Sequence, residues 1–241
     1  MSNRIILLEH SDSAASARLG TVIRDHGYHL DIRRLHRGDR LPNSLADTQA
    51  VISMGGPQNV DQPDGHAWML PEMEYLKKAH ESQRAVIGVC LGCQMLATAL
   101  GGEVARFENG RMELGWHPIS LSFAGMTDPI FAGQPARHHS LHWHGRHITK
   151  LPQDAVTLCS SDMTPVQAFR AGMRTYGFQY HFEGNRDTVA RWGTEEQADR
   201  ERAGLSYEQL MDQTDRYYPA FERLAYRLCT TLIACAISSS R

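Results

Sequence analysis

Apolar residues along the chain fall into two spacings. Unbroken runs at residues 4–8, 50–53 and 84–89 lack alternation, as expected of strands buried on both faces. Between them, residues 14–25, 69–82 and 91–100 space their apolar side chains as helices do, and Gly101 and Gly102 stop the last of these. Strand and helix thus alternate, the pattern of a parallel α/β sheet. Met54, Gly55, Gly56 and Pro57 form a turn that takes the chain out of the sheet. From 116 to 182 the spacing changes, with β-like runs at 119–123, 155–160, 165–170 and 175–182 that read as an added β region. A tail over 207–237 is helical, with Leu224, Leu228 and Leu232 three or four apart. No repeat, low-complexity linker or internal boundary interrupts this order, so residues 1–241 read as one domain.

Composition narrows the class. Hydrophobic residues are 41% and charged residues 22% of 241, ordinary values for a globular chain with a sizeable core. The net charge of −2 comes from 25 basic and 27 acidic residues scattered along the chain, which argues against nucleic acid as a partner. The apolar run Ile5 to Leu8 is cut by Glu9, too short for a leader or a membrane span. Five cysteines, an odd number, favour a reducing compartment, and a cytoplasmic location is expected.

Candidate chemistry begins at Gly88-Val89-Cys90-Leu91-Gly92, where a buried strand gives way to a helix. Glycines two residues either side allow a turn too tight for side chains, and the helix amino terminus favours a thiolate at Cys90. A structural cysteine between packing glycines fits the same five residues, and Cys90 with Cys93 also forms a Cys-x-x-Cys of the thiol-exchange kind. His181 and Glu183 lie two apart in a strand-like run, so alternation would turn both to one face, where a carboxylate orients the base that a thiol nucleophile needs. His138, His139, His142, His144 and His147 crowd one segment, but no carboxylate or thiol pattern beside them completes a ligand set. They read as a polar loop lining the pocket, with no metal expected. Trp116 and Trp143 read as packing residues, and Cys159, Cys229 and Cys235 as inert core.

Five motifs, in order, resemble the class I glutamine amidotransferases, especially stand-alone domains similar to the glutaminase part of guanosine monophosphate synthetase. They are Met54-Gly55-Gly56-Pro57, Gly88 through Gln94, Glu113-Leu114-Gly115-Trp116-His117-Pro118, His142-Trp143-His144-Gly145, and Tyr176 through Glu183. The resemblance implies a flavodoxin-like doubly wound, mostly parallel sheet with helices on both faces. It implies Cys90 as nucleophile, His181 as general base and acid, Glu183 as its orienter, and backbone amides of Gly56 and Leu91 as oxyanion hole. Gly55, Gln94, His144 and Gly145 would hold the substrate.

The chain departs from the family at Phe182, at Cys93 and at Arg146, where many relatives carry proline, another small or polar residue, and aspartate respectively. Arg146 would reverse a charge beside the pocket, and Cys93 raises an oxidative pairing with Cys90. The expected substrate is glutamine or a γ-glutamyl compound, with no cofactor, and with a separate synthetase subunit as a candidate ammonia acceptor. A γ-glutamyl peptide hydrolase, a thiol-exchange protein and a non-enzymatic binding protein on the same fold stand as the alternatives.

Overall fold

The first apolar run becomes β1 (Arg4–Glu9), whose side chains divide between two cores: Ile5 and Leu7 face one side of the sheet, Ile6 and Leu8 the other. In this computed structural model, which describes residues 3–238, the chain continues through α1 (Ala17–Asp25), β2 (His29–Arg34), β3 (Thr48–Ser53), α2 (Met69–Glu81), β4 (Ala85–Val89) and α3 (Leu91–Ala99). Next come β5 (Glu103–Arg106), β6 (Glu113–Leu121), a short α4 (Phe123–Thr127), β7 (Arg137–His144), β8 (Arg146–Lys150), β9 (Ala155–Ser160), β10 (Ala168–Ala171) and β11 (Thr175–Phe178). Helices α5 (Arg186–Glu195), α6 (Gln197–Arg202) and α7 (Tyr207–Leu232) close the chain.

The main sheet has the order β2-β1-β3-β4-β11-β10-β9-β6-β7. Its first five strands are parallel and follow the flavodoxin-like order, with β11 in the fifth place. The other four continue the sheet antiparallel and are the added β region, while β5 and β8 pair apart. Leu19, Val22 and Ile23 of α1 and Leu228 and Leu232 of α7 cover one face. Met69 and Leu76 of α2 and Met95 and Leu96 of α3 cover the other. No helix among the described residues is long and apolar enough to cross a membrane.

Several boundaries differ from the sequence reading. α1 starts at Ala17 because the Ser11 hydroxyl accepts from the Ala14 amide at 3.0 Å and turns the chain first. β2 escaped notice because it is a polar edge strand whose residues are half-buried or exposed. The run at 165–170 yields a strand only from Ala168. That at 119–123 is the end of a strand begun at Glu113. The 175–182 run stops being a strand at Phe178. Helices α5 and α6 arise from a polar stretch with little periodicity, α5 being started by Asn185, whose side chain accepts from the Thr188 amide at 2.8 Å. The tail keeps its helix to Leu232 and then widens into a π-type turn over Ile233–Ile237.

One buried ion pair braces the carboxyl ends of β1 and β3. His10, fully buried, holds the Glu72 carboxylate at 2.8 Å through Nε2 and donates through Nδ1 to the Met54 carbonyl at 2.9 Å. The Ser53 hydroxyl donates to the other Glu72 oxygen at 2.7 Å. Burial disfavours the His10 cation, but Glu72 and the Met54 and Gly55 carbonyls outweigh it and raise its pKa. Stability from this group is therefore complete below its ordinary value of 6.5 and is lost as pH rises through the raised, folded-state value. His10→Gln is expected to lower stability by about 3 kcal/mol and to flatten the alkaline decline, as read by denaturant melts between neutral pH and pH 10; an unchanged pH slope would contradict the pair.

Candidate active site

Cys90 occupies the crossing from β4 to α3 with φ of 49° and ψ of −106°, a backbone state that side chains rarely take. Its surroundings leave no other path. A Cβ on Gly88 would stand 2.6 Å from the Gly92 carbonyl oxygen, and one on Gly92 would stand 2.2 Å from that of Ser53. Helix α3 thus starts pressed onto the end of β3, and the Cys90 side chain is lifted to the pocket floor, 7% exposed. The Cys90 amide donates to Phe178 at 2.8 Å, tying the elbow to β11.

His181 and Glu183 follow β11 on an irregular segment, so strand alternation does not explain their shared direction. The backbone is set instead by the His181 amide donating to Leu141 at 2.8 Å and by Arg18 of α1, which donates to the Phe182 and Gly184 carbonyls at 3.1 and 2.7 Å. The imidazole donates through Nδ1 to Glu183 at 2.8 Å, which leaves Nε2 for the thiol. Burial opposes the imidazolium, but the Glu183 and Cys90 charges and their hydrogen bonds prevail, so His181 is pushed up to about 10. Trp192 of α5 packs edge-on against the ring, with centroids 4.7 Å apart.

These groups open into a pocket of about 470 Å³. Gly56, Leu91, Gln94, His144 and Gly145 line it. Leu91 is the first residue of α3, so its amide has no acceptor within the helix. Gly55 stands one residue behind the wall, where a Cβ would lie 3.2 Å from His181 Cε1 and 3.5 Å from Cys90 Cβ. Gln94 spends its amide donors inside the protein, on the Arg146 carbonyl at 3.2 Å and on Gln179 at 3.1 Å. Gln179 in turn reaches the Cys90 sulfur at 3.8 Å. Arg146 lines the rim, yet its charge is met there: Nε donates to Asp61 at 2.7 Å and Nη1 to Asn59.

The histidine segment is no loop. Residues 137–144 form β7, which divides the rings between environments. His142 and His144 turn inward toward Glu113 of β6, which supplies from across the sheet the carboxylate that the segment lacks. Burial comes first in holding His142 neutral, down to about 3, while interaction with His144 and His142 outweighs burial for Glu113 and keeps it well below the usual carboxylate range. Trp116 is buried, with Nε1 donating to Thr214 at 2.9 Å, whereas Trp143 both packs on Trp192 and lines the pocket. Cys93, on α3, is buried in the core that α2 and α3 form with the sheet, its thiol raised well above the usual value by burial and then by Cys90 and Cys159. Cys159 and Cys229 are wholly buried.

Sequence reading missed Arg106, Met112, Trp192, Glu196, Asp199 and Arg202, which form the outer wall. Nothing local marks them, because they reach the pocket only through the packing of α5 and α6 and the chain leading from β5 to β6. His10 and Glu72 were missed as well, though a histidine just after an apolar strand was a signal that the strand's end faces a polar site.

Known proteins resemble this chain in sequence and in fold. The profile of the glutamine amidotransferase class-I family matches residues 11–189. The glutamine amidotransferase-like protein YfeJ of Salmonella typhimurium is 31% identical over 183 residues, 75% of each chain. The glutamine-hydrolyzing GMP synthase of a Thermotoga strain is 34% identical over 139 residues, which are 58% of this chain and only 25% of that enzyme. Among solved structures, a glutamine amidotransferase of Methylobacillus flagellatus superposes with a TM-score of 0.86 at 21% identity, covering 100% of this chain and 98% of that one. One from Thermotoga maritima superposes at 0.84 and 23%, covering 95% and 97%, and both show the fold. With the profile spanning most of its length and the flavodoxin-like sheet carrying the elbow, this chain belongs to the class I glutamine amidotransferase family.

Proposed function

We propose that the protein hydrolyses the side-chain amide of glutamine through a cysteinyl thioester, releasing glutamate and ammonia. The observation that carries this reading is the His181–Glu183 pair at 2.8 Å beside a cysteine held on a strained elbow at the floor of a pocket. His181 takes the proton of Cys90, and the thiolate attacks the amide carbonyl. The amides of Gly56 and Leu91 receive the oxyanion, the donor arrangement that contributes most in acyl transfer. His181 then protonates the departing ammonia, and water, deprotonated by the same ring, cleaves the thioester. The Gln94 side-chain oxygen and the backbone at Gly145 hold the amino-acid end.

A separate synthetase subunit is the candidate acceptor for the released ammonia, the match to glutamine-hydrolyzing GMP synthase covering a quarter of that enzyme. A reducing cytoplasm suits a nucleophilic thiol. A second reading, hydrolysis of a γ-glutamyl compound, is favoured by the pocket's size and by Arg106 in its outer wall, which suits a leaving group bearing a second carboxylate.

Cys90→Ser and His181→Ala are each expected to lower kcat/KM for glutamine by about 10³-fold or more, the first with unchanged melting and the second with a lowered Tm because Glu183 loses its buried partner; near-normal turnover by a folded Cys90→Ser protein would remove the proposal. Glu183→Gln is expected to lose less, about 10²-fold, and to shift the alkaline limb of kcat/KM to lower pH. Without the Glu183 charge the His181 pKa falls from about 10, so the acid needed for ammonia departure is lost earlier. Comparing glutamine with a γ-glutamyl dipeptide separates the two readings: a dipeptide preference of about a hundredfold, roughly 2.7 kcal/mol in the transition state, would assign the second.

A further inference from the structure

A cluster of buried ligand-type side chains stands directly behind the pocket wall and takes no part in the chemistry above. His142 and His144 are two apart on β7, so strand alternation turns both rings to one face. The β6–β7 register sets Glu113 opposite His144. His144 Nε2 lies 3.2 Å from Glu113 Oε2, and His142 Nδ1 lies 3.8 Å from Oε1. One ligand atom from each residue falls within 4.8 Å of the others.

Hydrogen bonding leaves the cluster incomplete. His142 is fully buried, and neither of its ring nitrogens has a partner among the described residues. His144 Nε2, though close to Glu113, is out of line for a hydrogen bond and is likewise without one. Orphaned buried polar atoms are costly, so His142 Nδ1 and His144 Nε2, both close to one carboxylate, call for a group between them.

The surroundings are prepared for that group. His144 Nδ1 donates to the Arg146 carbonyl at 2.8 Å, which presents the Nε2 lone pair to Glu113. Metal-bound histidines are held in their tautomer in this way. Glu113 Oε2 accepts from Thr164 Oγ1 and Gln167 Nε2, both at 2.7 Å, so the carboxylate is oriented too.

We propose that Glu113, His142 and His144 bind a divalent transition-metal ion, zinc by their donor set, which clamps β6 to β7 and fixes the turn at Gly145. Two imidazoles and one carboxylate are a common zinc set that leaves a fourth position to solvent. Bonds of about 2.0–2.1 Å place tetrahedral ligand atoms roughly 3.3 Å apart. The Glu113–His144 pair already has that spacing, His142 Nδ1 lies 3.8 Å from the other Glu113 oxygen, and the widest separation in the set, within 4.8 Å, closes by about 1.5 Å when a metal binds. His144 also lines the pocket, which opens a route from solvent.

The test is metal content, independent of turnover and of the reaction proposed above. Full-length protein is stripped with chelator, given one equivalent of Zn²⁺, desalted and assayed by mass spectrometry, in parallel with Cys90→Ser, Glu113→Gln and His142→Gln. Wild type and Cys90→Ser are expected to retain one zinc per chain with a raised Tm, and both other variants to bind at least tenfold more weakly. If Glu113→Gln does not fold, His142→Gln, which removes a ring with no hydrogen bonds, carries the test. Co²⁺ in place of zinc is expected to give visible bands without thiolate charge-transfer absorption. No retained metal, retention unchanged in His142→Gln, or thiolate-to-cobalt absorption would each overturn the proposal, the first leaving only water among these side chains.

Discussion

Everything in the site depends on how closely the first turn of α3 lies against the end of β3. Gly92 has no room for a single carbon beyond its Cα, because the Ser53 carbonyl already fills it. That contact dictates where α3 begins, hence the positive φ at Cys90, hence the height of its sulfur above the sheet. Such a backbone state costs of order 1–3 kcal/mol and persists only where neighbours over-determine it. Here they do, since β4 is wholly buried between parallel neighbours and the Cys90 amide is tied to β11.

The same neighbourhood explains why His10 and Glu72 sit where they do. The loop that leaves β3 brings Gly55 close to Cys90 and lines the pocket with Gly56, and a loop with two glycines does not hold itself. The ion pair grips its carbonyls from behind, and Trp68 stacks on the His10 ring at 4.8 Å. On the opposite side Arg18 grips the carbonyls flanking Glu183. Two buried or half-buried cations therefore steady the two irregular segments that meet at Cys90.

The central strands and the elbow were legible because the signals are local: an apolar run must be buried, and glycines at 88 and 92 announce a close approach. His181 and Glu183 were legible as a pair, but for an insufficient reason. Alternation would have aligned His181 with Glu183 in a strand, whereas the backbone after Phe178 is shaped by Leu141 and Arg18, residues remote in sequence. Glu113 and the inward histidines illustrate the same limit, since a carboxylate about thirty residues upstream becomes a neighbour only through the β6–β7 register. The charge of Arg146 was legible, but its neutralisation by Asp61, eighty-five positions away, was not.

The outer wall of the pocket has a different standing from its floor. Trp192, Glu196, Asp199 and Arg202 come from α5 and α6, past residue 189, where the family profile ends. Trp192 reaches inward to touch His181, but the three charged residues lie farther along, Glu196 between the two helices and Asp199 and Arg202 on the six-residue α6. Such a lip is a graftable part. Exchanging it between relatives would reshape what the pocket admits and leave the elbow and the His181–Glu183 pair beneath intact, so a lineage could vary the entrance without rebuilding the floor.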